Sequence, residues 1–144
     1  LIDFIGSILD NDEPMNVAVI GMGHLGQAIT KYFNGKNLKL QIIAAFDIDP
    51  GKVGTEIDGV PCYHMDEFEK LAEDMDITLG VLSSPTEVAA DLVLPIINGG
   101  IKGVLNFTSK PLNFPRGIVA ENYDITTLLE KVAYLVKENE DNNM

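Results

Sequence analysis

The sequence predicts an α/β domain built on a doubly wound parallel sheet, and three observations predict it. Short apolar, β-branched runs alternate with stretches of helical spacing along most of the chain. The first run, residues 16–20, ends in Gly21-x-Gly23-x-x-Gly26, and helical spacing begins at once. The second run ends on an acidic residue, Asp47, 21 positions beyond Gly26.

Each element has its own justification. Residues 1–9 carry apolar side chains at 1, 5, 8 and 9, a helical stripe that begins abruptly on Leu1. They read, with the turn 10–14, as the remnant of a linker helix whose start lies outside this sequence. Pro14 closes that turn before the first strand. Leu25, Ala28, Ile29, Tyr32 and Phe33 form the expected core stripe of the first helix, which Asn34-Gly35 ends. Residues 40–46 form the second strand, and Asp47-Ile48-Asp49-Pro50-Gly51 is a turn with Pro and Gly placed for it. Residues 60–64 make a short strand in which Pro61 suggests a sheet edge. An amphipathic helix follows over 65–74, with Phe68 and Leu71 inward and an acidic, solvated face. Residues 77–82 are the fourth strand. Ser83-Ser84-Pro85-Thr86-Glu87 opens a helix to about Asn98, which Pro95 should kink or shorten. Residues 101–107 and 118–121 are the last two strands. A final helix runs from Asp124 to about Lys137, with Thr127-x-x-Glu130 as a capping box, and residues 139–144 should fray. The expected organisation is 1–14 linker remnant, 15–123 a single nucleotide-binding domain, and 124–144 a terminal helix with its tail.

Composition narrows the function. A chain of 144 residues, 46% of them hydrophobic, can bury a real core. No apolar run reaches the roughly 18 residues of a membrane span, and nothing reads as a signal peptide. One cysteine, Cys62, excludes an internal disulfide, which suits the cytoplasm. It reads as a small buried hydrophobe before a redox thiol. Two distant histidines, His24 and His64, do not make a metal site, and none is expected. A formal net charge of −12 repels phosphate backbones, so this stretch by itself should not bind DNA.

The glycine pattern supplies the chemistry. Gly21 permits the tight turn, Gly23 lets backbone approach a pyrophosphate, and Gly26 lets the helix lie close on the strand. The phosphates then meet free N–H groups at the positive end of the helix dipole. Asp47 can accept both hydroxyls of an adenosine ribose and repels a 2′-phosphate, favouring NAD(H) over NADP(H). In such a sheet, ligands bind outside the carboxyl ends of the strands, which places segments 21–26, 47–52, 63–64, 83–86 and 106–108 there. No His, Lys or Tyr ends the fourth or fifth strand to serve as a catalytic acid or base, and no second domain follows to hold a substrate. The cofactor therefore reads as a signal, the protein as no enzyme, and no residue as catalytic.

Five blocks of the sequence resemble the C-terminal domain of the Rex family of redox-sensing transcriptional repressors. They are residues 19–26, 44–54, 57–61, the Gly100-Ile101-Lys102-Gly103-Val104-Leu105-Asn106-Phe107 stretch, and Glu121-Asn122-Tyr123-Asp124. The resemblance implies a Rossmann fold in a homodimer that senses the NADH/NAD+ ratio. It also implies a preceding winged-helix domain, missing from this chain, that binds operator DNA and lets go when NADH binds. The terminal helix would be exchanged between subunits. Gly21, Met22, Gly23, His24, Leu25 and Gly26 match the pyrophosphate loop, and Asp47 the ribose residue. Ser83, Ser84 and Pro85 with Asn106, Phe107 and Thr108 match the nicotinamide lining. Tyr32 and Asp124 match residues of a redox switch across the dimer.

Ile48, Lys52, Tyr63 and His64 complete the expected cofactor contacts. Bland readings stand beside several of these. Lys52 meets phosphate or faces solvent, His64 lines the adenine rim or is surface, and His24 approaches phosphate or Asp124 or is solvated. Tyr32 packs as a core side chain, Asp124 caps the last helix, and that helix's stripe packs on its own domain or on a partner. The chain departs from the family at His24, Ser83-Ser84, Pro95, Thr108-Ser109-Lys110 and Ile125, mostly on the nicotinamide side. Two alternatives remain: a coenzyme A-binding Rossmann domain of an acyl-CoA ligase, and the cofactor half of an NAD dehydrogenase.

Overall fold

A computed structural model describes residues 14–36 and 39–143. The helix expected over 1–9 and the turn up to residue 13 lie outside the described residues.

Seven strands form one sheet in the order β3-β4-β2-β1-β5-β6-β7. They are β1 Met15–Ile20, β2 Leu40–Asp47, β3 Glu56–Ile57, β4 Val60–His64, β5 Ile77–Leu82, β6 Gly103–Asn106 and β7 Val119–Asn122. All neighbours run parallel except β3 and β4. The two-residue β3 is a strand the sequence pattern did not predict. It pairs with Val60 and Pro61, so Pro61 does not mark the edge of the sheet; β3 does. Pro61 has no N–H to give, and the ladder there is closed by Cys62, which donates to Thr55 and accepts from Gly54.

The helices are α1 His24–Phe33, α2 Phe68–Asp74, α3 Thr86–Ala89, α4 Val93–Asn98 and α5 Ile125–Asn142. A 3-10 turn, Met65–Glu67, leads into α2. Another, Ala90–Leu92, separates α3 from α4. Pro95 is the third residue of α4, where a missing N–H costs no intrahelical bond, so the break falls one turn ahead of it. The one long helix expected over 86–98 is therefore two short ones.

The sheet is covered unequally. On one face α2, α3 and α4 bring Phe68, Ala72, Ala89 and Ile96 onto Ile20, Phe46 and Leu82, forming the main core. On the other face α1 lies against β1 and β3. Its packed side is Gly26, Ile29 and Thr30, so of the predicted stripe Ile29 alone is buried: Leu25, Ala28, Tyr32 and Phe33 are exposed, Tyr32 by 63%. Gly26 decides this. A Cβ there would stand 1.9 Å from the Gly21 carbonyl oxygen, so the helix is closest to the strand at Gly26 and rotates about that point. Thr30 tolerates full burial because its hydroxyl donates to the Gly26 carbonyl at 2.8 Å.

Beyond α1 this second face is bare among the described residues. Val17, Leu79, Val81, Leu105 and Val119 line an apolar hollow of about 430 Å³. Phe33, Leu40 and Phe107 line a neighbouring one of about 190 Å³. The β6–β7 connection supplies no helix to fill them. The helix that could, α5, leaves the domain with every residue exposed, including Ile125, Leu128, Leu129, Val132, Leu135 and Val136. It continues to Asn142, beyond the expected end near Lys137. Its cap is Asp124, which accepts from Thr126 N–H and Thr127 Oγ1–H, so Thr127 serves Asp124 and no capping box starts at Thr127.

Candidate crevice at the carboxyl ends of the strands

One transverse row of residues, Phe46, Ile20, Leu82, Asn106 and Asn122, crosses the sheet in register at the carboxyl ends of β2, β1, β5, β6 and β7. The next residue along each strand forms the lip above it: Asp47, Gly21, Ser83, Phe107 and Tyr123. Four of these are fastened alike. Gly21 N–H donates to the Phe46 carbonyl at 2.7 Å, Ser83 N–H to Ile20 at 2.8 Å, Phe107 N–H to Leu82 at 2.8 Å, and Tyr123 N–H to Asn106 at 2.7 Å. The lip is thus held by the sheet's own ladder.

The glycine loop sits in the middle of it. Gly21 has φ +98°, a conformation that favours glycine, and a Cβ there would lie 2.6 Å from Ser84 N. Met22 turns inward, 2% exposed, among Val19, Ala45, Val60 and Cys62, and anchors the loop by its side chain. A Cβ on Gly23 would meet nothing within 4 Å. His24 and Leu25, at the exposed first turn of α1, project no acidic residue toward the helix N-terminus.

Asp47 organises the wall opposite. Its Oδ2 accepts from Met22 N–H at 2.7 Å, and its Oδ1 accepts from Asp49 N–H at 2.9 Å. One carboxylate therefore sets the distance between glycine loop and 47–52 turn. Each oxygen keeps a further lone pair. Ser83 fixes the third side, its hydroxyl donating to the Gly21 carbonyl at 2.8 Å.

These elements enclose a crevice of about 500 Å³. It gathers Gly21, Gly23, His24, Leu25, Asp47, Ile48, Lys52, Ser83, Ser84 and Pro85 of the predicted set, and adds Asp49, which the sequence reading placed only in the turn. The signal for Asp49 was present in the Asp-x-Asp-Pro-Gly spacing. A narrow apolar cleft continues past Ile48 between Phe46, Met65, Val88 and Leu92. Met22 and Gly26 support the loop from below.

Other predicted residues stand apart. Tyr63 packs on Phe46 with ring centroids 5.8 Å apart. His64 is the register partner of Asp47, and its Nδ1 accepts from Asp66 N–H at 3.1 Å. Asn106 and Thr108 are buried and hydrogen-bonded to each other, and Phe107 faces the bare side of the sheet. Tyr32 stacks edge-on with Phe33 and carries Lys36 Nζ 4.5 Å from its ring. Asp124 is occupied as the α5 cap, and no hydrogen bond joins it to Tyr32 within this chain.

Burial pushes the Cys62 thiol above its ordinary value, the Asp47 carboxylate adds to the rise, and Lys52 opposes it. Among the described residues no cluster of His, Cys, Asp and Glu could hold a metal ion, and no helix is long and apolar enough to cross a membrane.

The residues present fit an adenine dinucleotide. Gly23 leaves space where a side chain would stand, the first turn of α1 offers unpaired backbone N–H groups, and Asp47 offers acceptors beside them.

Known proteins match the same chain. Residues 12–110 match the family described as the CoA binding domain. The redox-sensing transcriptional repressor Rex of Anoxybacillus flavithermus is 40% identical over 137 residues, 95% of this chain and 64% of the relative. The chain thus spans slightly less than two thirds of that relative's length. The crystal structure of RSP, a Rex-family repressor, in complex with β-NADH superposes with a TM-score of 0.85 at 28% identity, covering 98% of this chain and 68% of that one. RSP in complex with β-NAD+ and operator DNA gives 0.86 at 28% identity, covering 98% and 65%.

Proposed function

The chain belongs to the CoA-binding-domain family and, within it, to the Rex repressors, and from that premise we propose that it is the domain with which a transcriptional repressor senses the NADH/NAD+ ratio. The observation that carries the reading is the crevice that joins the glycine loop to Asp47. Backbone amides from Gly23 onward take the diphosphate. Asp47 takes the ribose hydroxyls, and Ile48 with the apolar cleft behind it takes the adenine. Lys52 supplies a cation on the rim and His24 an imidazole. Ser83, Ser84 and Pro85 take the nicotinamide end, with the 106–108 segment behind them.

Coenzyme A fits less well despite the family's description. Its ribose carries a 3′-phosphate, and two carboxylates, Asp47 and Asp49, border the crevice. The same pair disfavours NADP(H). Chemistry on the cofactor is also disfavoured. The Ser83 hydroxyl is committed to the Gly21 carbonyl, and the Asn106 amide is hydrogen-bonded throughout, so neither is placed to move a proton with a hydride. Bound NADH, in this reading, supplies a change in charge at the nicotinamide and no reaction.

Residues 15–123 form the sensor, and 124–144 an arm exchanged in a homodimer. The apolar stripe of α5 and the bare face of the sheet are complementary needs that the described residues of one chain do not meet. Tyr32, exposed on α1, and Asp124, at the root of the arm, are the pair through which one subunit answers the other. With a net charge of −12, operator binding in the cytoplasm falls to a winged-helix domain outside this chain, released when NADH binds. Titration with NADH followed by its fluorescence, with coenzyme A as competitor, tests the reading. Saturable NADH binding that NAD+ displaces supports it; binding of coenzyme A without NADH overturns it.

A further inference from the structure

Asn106 is fully buried at the carboxyl end of β6, and every hydrogen-bonding position of its side chain is filled. Its amide donates to the Lys110 carbonyl at 2.9 Å and to Asn122 Oδ1 at 2.8 Å. Its oxygen accepts from Thr108 N–H at 3.0 Å and from Thr108 Oγ1–H at 2.7 Å. Such an amide has one satisfied orientation, because any rotation strands buried donors. The Asn106 backbone carbonyl also takes Tyr123 N–H. One residue therefore holds both positions immediately before Asp124, the cap of α5.

On its other side the connection reaches the crevice. Phe107 N–H is bonded to the Leu82 carbonyl, and the residue after Leu82 is Ser83, whose hydroxyl holds Gly21. We propose that Asn106 is a positioning residue that couples the nicotinamide end of the crevice to the direction in which α5 leaves the domain, through its bond to Asn122. The proposal rests on the sensor reading above. It assigns the coupling to an amide pair between adjacent strands, because α5 buries no residue among the described part of its own chain through which a shift could otherwise pass.

The test is amide hydrogen exchange at residues 123–130 of the whole chain, with and without NADH, in the parent protein, Asn122→Ala and Asn122→Asp. Asn122 is exposed on the edge strand, so its loss leaves the core intact, and Asp at this position keeps the acceptor. NADH should change exchange at the arm root about tenfold or more in the parent and in Asn122→Asp. Asn122→Ala should bind NADH with affinity within about twofold of the parent yet lose most of that change. A full response in Asn122→Ala overturns the proposal, as does equal loss in Asn122→Asp or a large loss of NADH affinity in Asn122→Ala. A parent protein that binds NADH without any change at 123–130 overturns this inference alone, whereas one that binds no NADH overturns the sensor reading itself.

Discussion

Replacing Val132 and Leu135 of α5 together by Asp should convert a dimer into a monomer without unfolding the domain. Both side chains sit on the apolar stripe and are 56% and 50% exposed within the chain. Covering six such half-exposed residues contributes about 6 kcal/mol per arm, and the sheet residues they cover add roughly 4 more. Two exchanged arms then contribute about 20 kcal/mol against roughly 10 for association, leaving a dissociation constant of tens of nanomolar. Losing two apolar contacts per arm removes about 4 kcal/mol in total, a thousandfold weakening, before the cost of desolvating four carboxylates. Sedimentation velocity at micromolar concentration should show twice the chain mass of 15.7 kDa for the parent and the single chain mass for the variant. Far-ultraviolet dichroism should show the domain still folded, since no residue of α5 is buried in its own chain, and thermal unfolding should lose only the contribution of association. A monomeric parent, or a variant that remains dimeric, would refute the exchange argument.

Other consequences are local. Asp47→Ala should weaken NADH binding by about ten- to a hundredfold, because it removes the ribose acceptor and strands the Met22 N–H, each a charge-assisted bond of roughly 1.5–3 kcal/mol; unchanged affinity by fluorescence titration would contradict this. Gly26→Ala should destabilise the domain by about 1–3 kcal/mol or more in urea unfolding, since its Cβ meets a backbone oxygen that cannot move aside; Gly23→Ala, with nothing within 4 Å, should fold normally and lose ligand affinity instead. The raised thiol of Cys62 stabilises the fold fully below its ordinary value of 9.0 and progressively less as pH rises through the folded value. Stability measured between neutral and strongly alkaline pH should therefore fall less steeply in Cys62→Ala than in the parent.

Much of this was legible in the residues because the signals were local. The run ending at Gly21, the spacing to Gly26 and the acid at 47 each follow from backbone needs that act within one βα unit. The facing of α1 was not legible. Apolar periodicity assigned Tyr32 and Phe33 to the core, whereas the helix is rotated by the contact of Gly26 with Gly21, an effect of a missing side chain that a hydrophobic pattern does not register. β3 escaped because two residues carry no periodicity, and with it the edge inferred from Pro61 was misplaced. The role of Asn106 depends on Asn122, 16 residues away on another strand, and pairing between strands is invisible until the sheet is assembled. The stripe of α5 could be read as apolar, but only the bare second face of the sheet shows that its own domain leaves it unpacked.

The crevice should distinguish two redox states of one dinucleotide. Pro85 at the crevice offers no counter-charge to an oxidised nicotinamide, and an apolar contact penalises a cation. Isothermal calorimetry with NADH and NAD+ on the same preparation measures this directly. NADH should bind more tightly than NAD+ by about tenfold or more, equivalent to at least ~1.4 kcal/mol. Equal affinities would leave a nucleotide-binding domain with no means of sensing redox state.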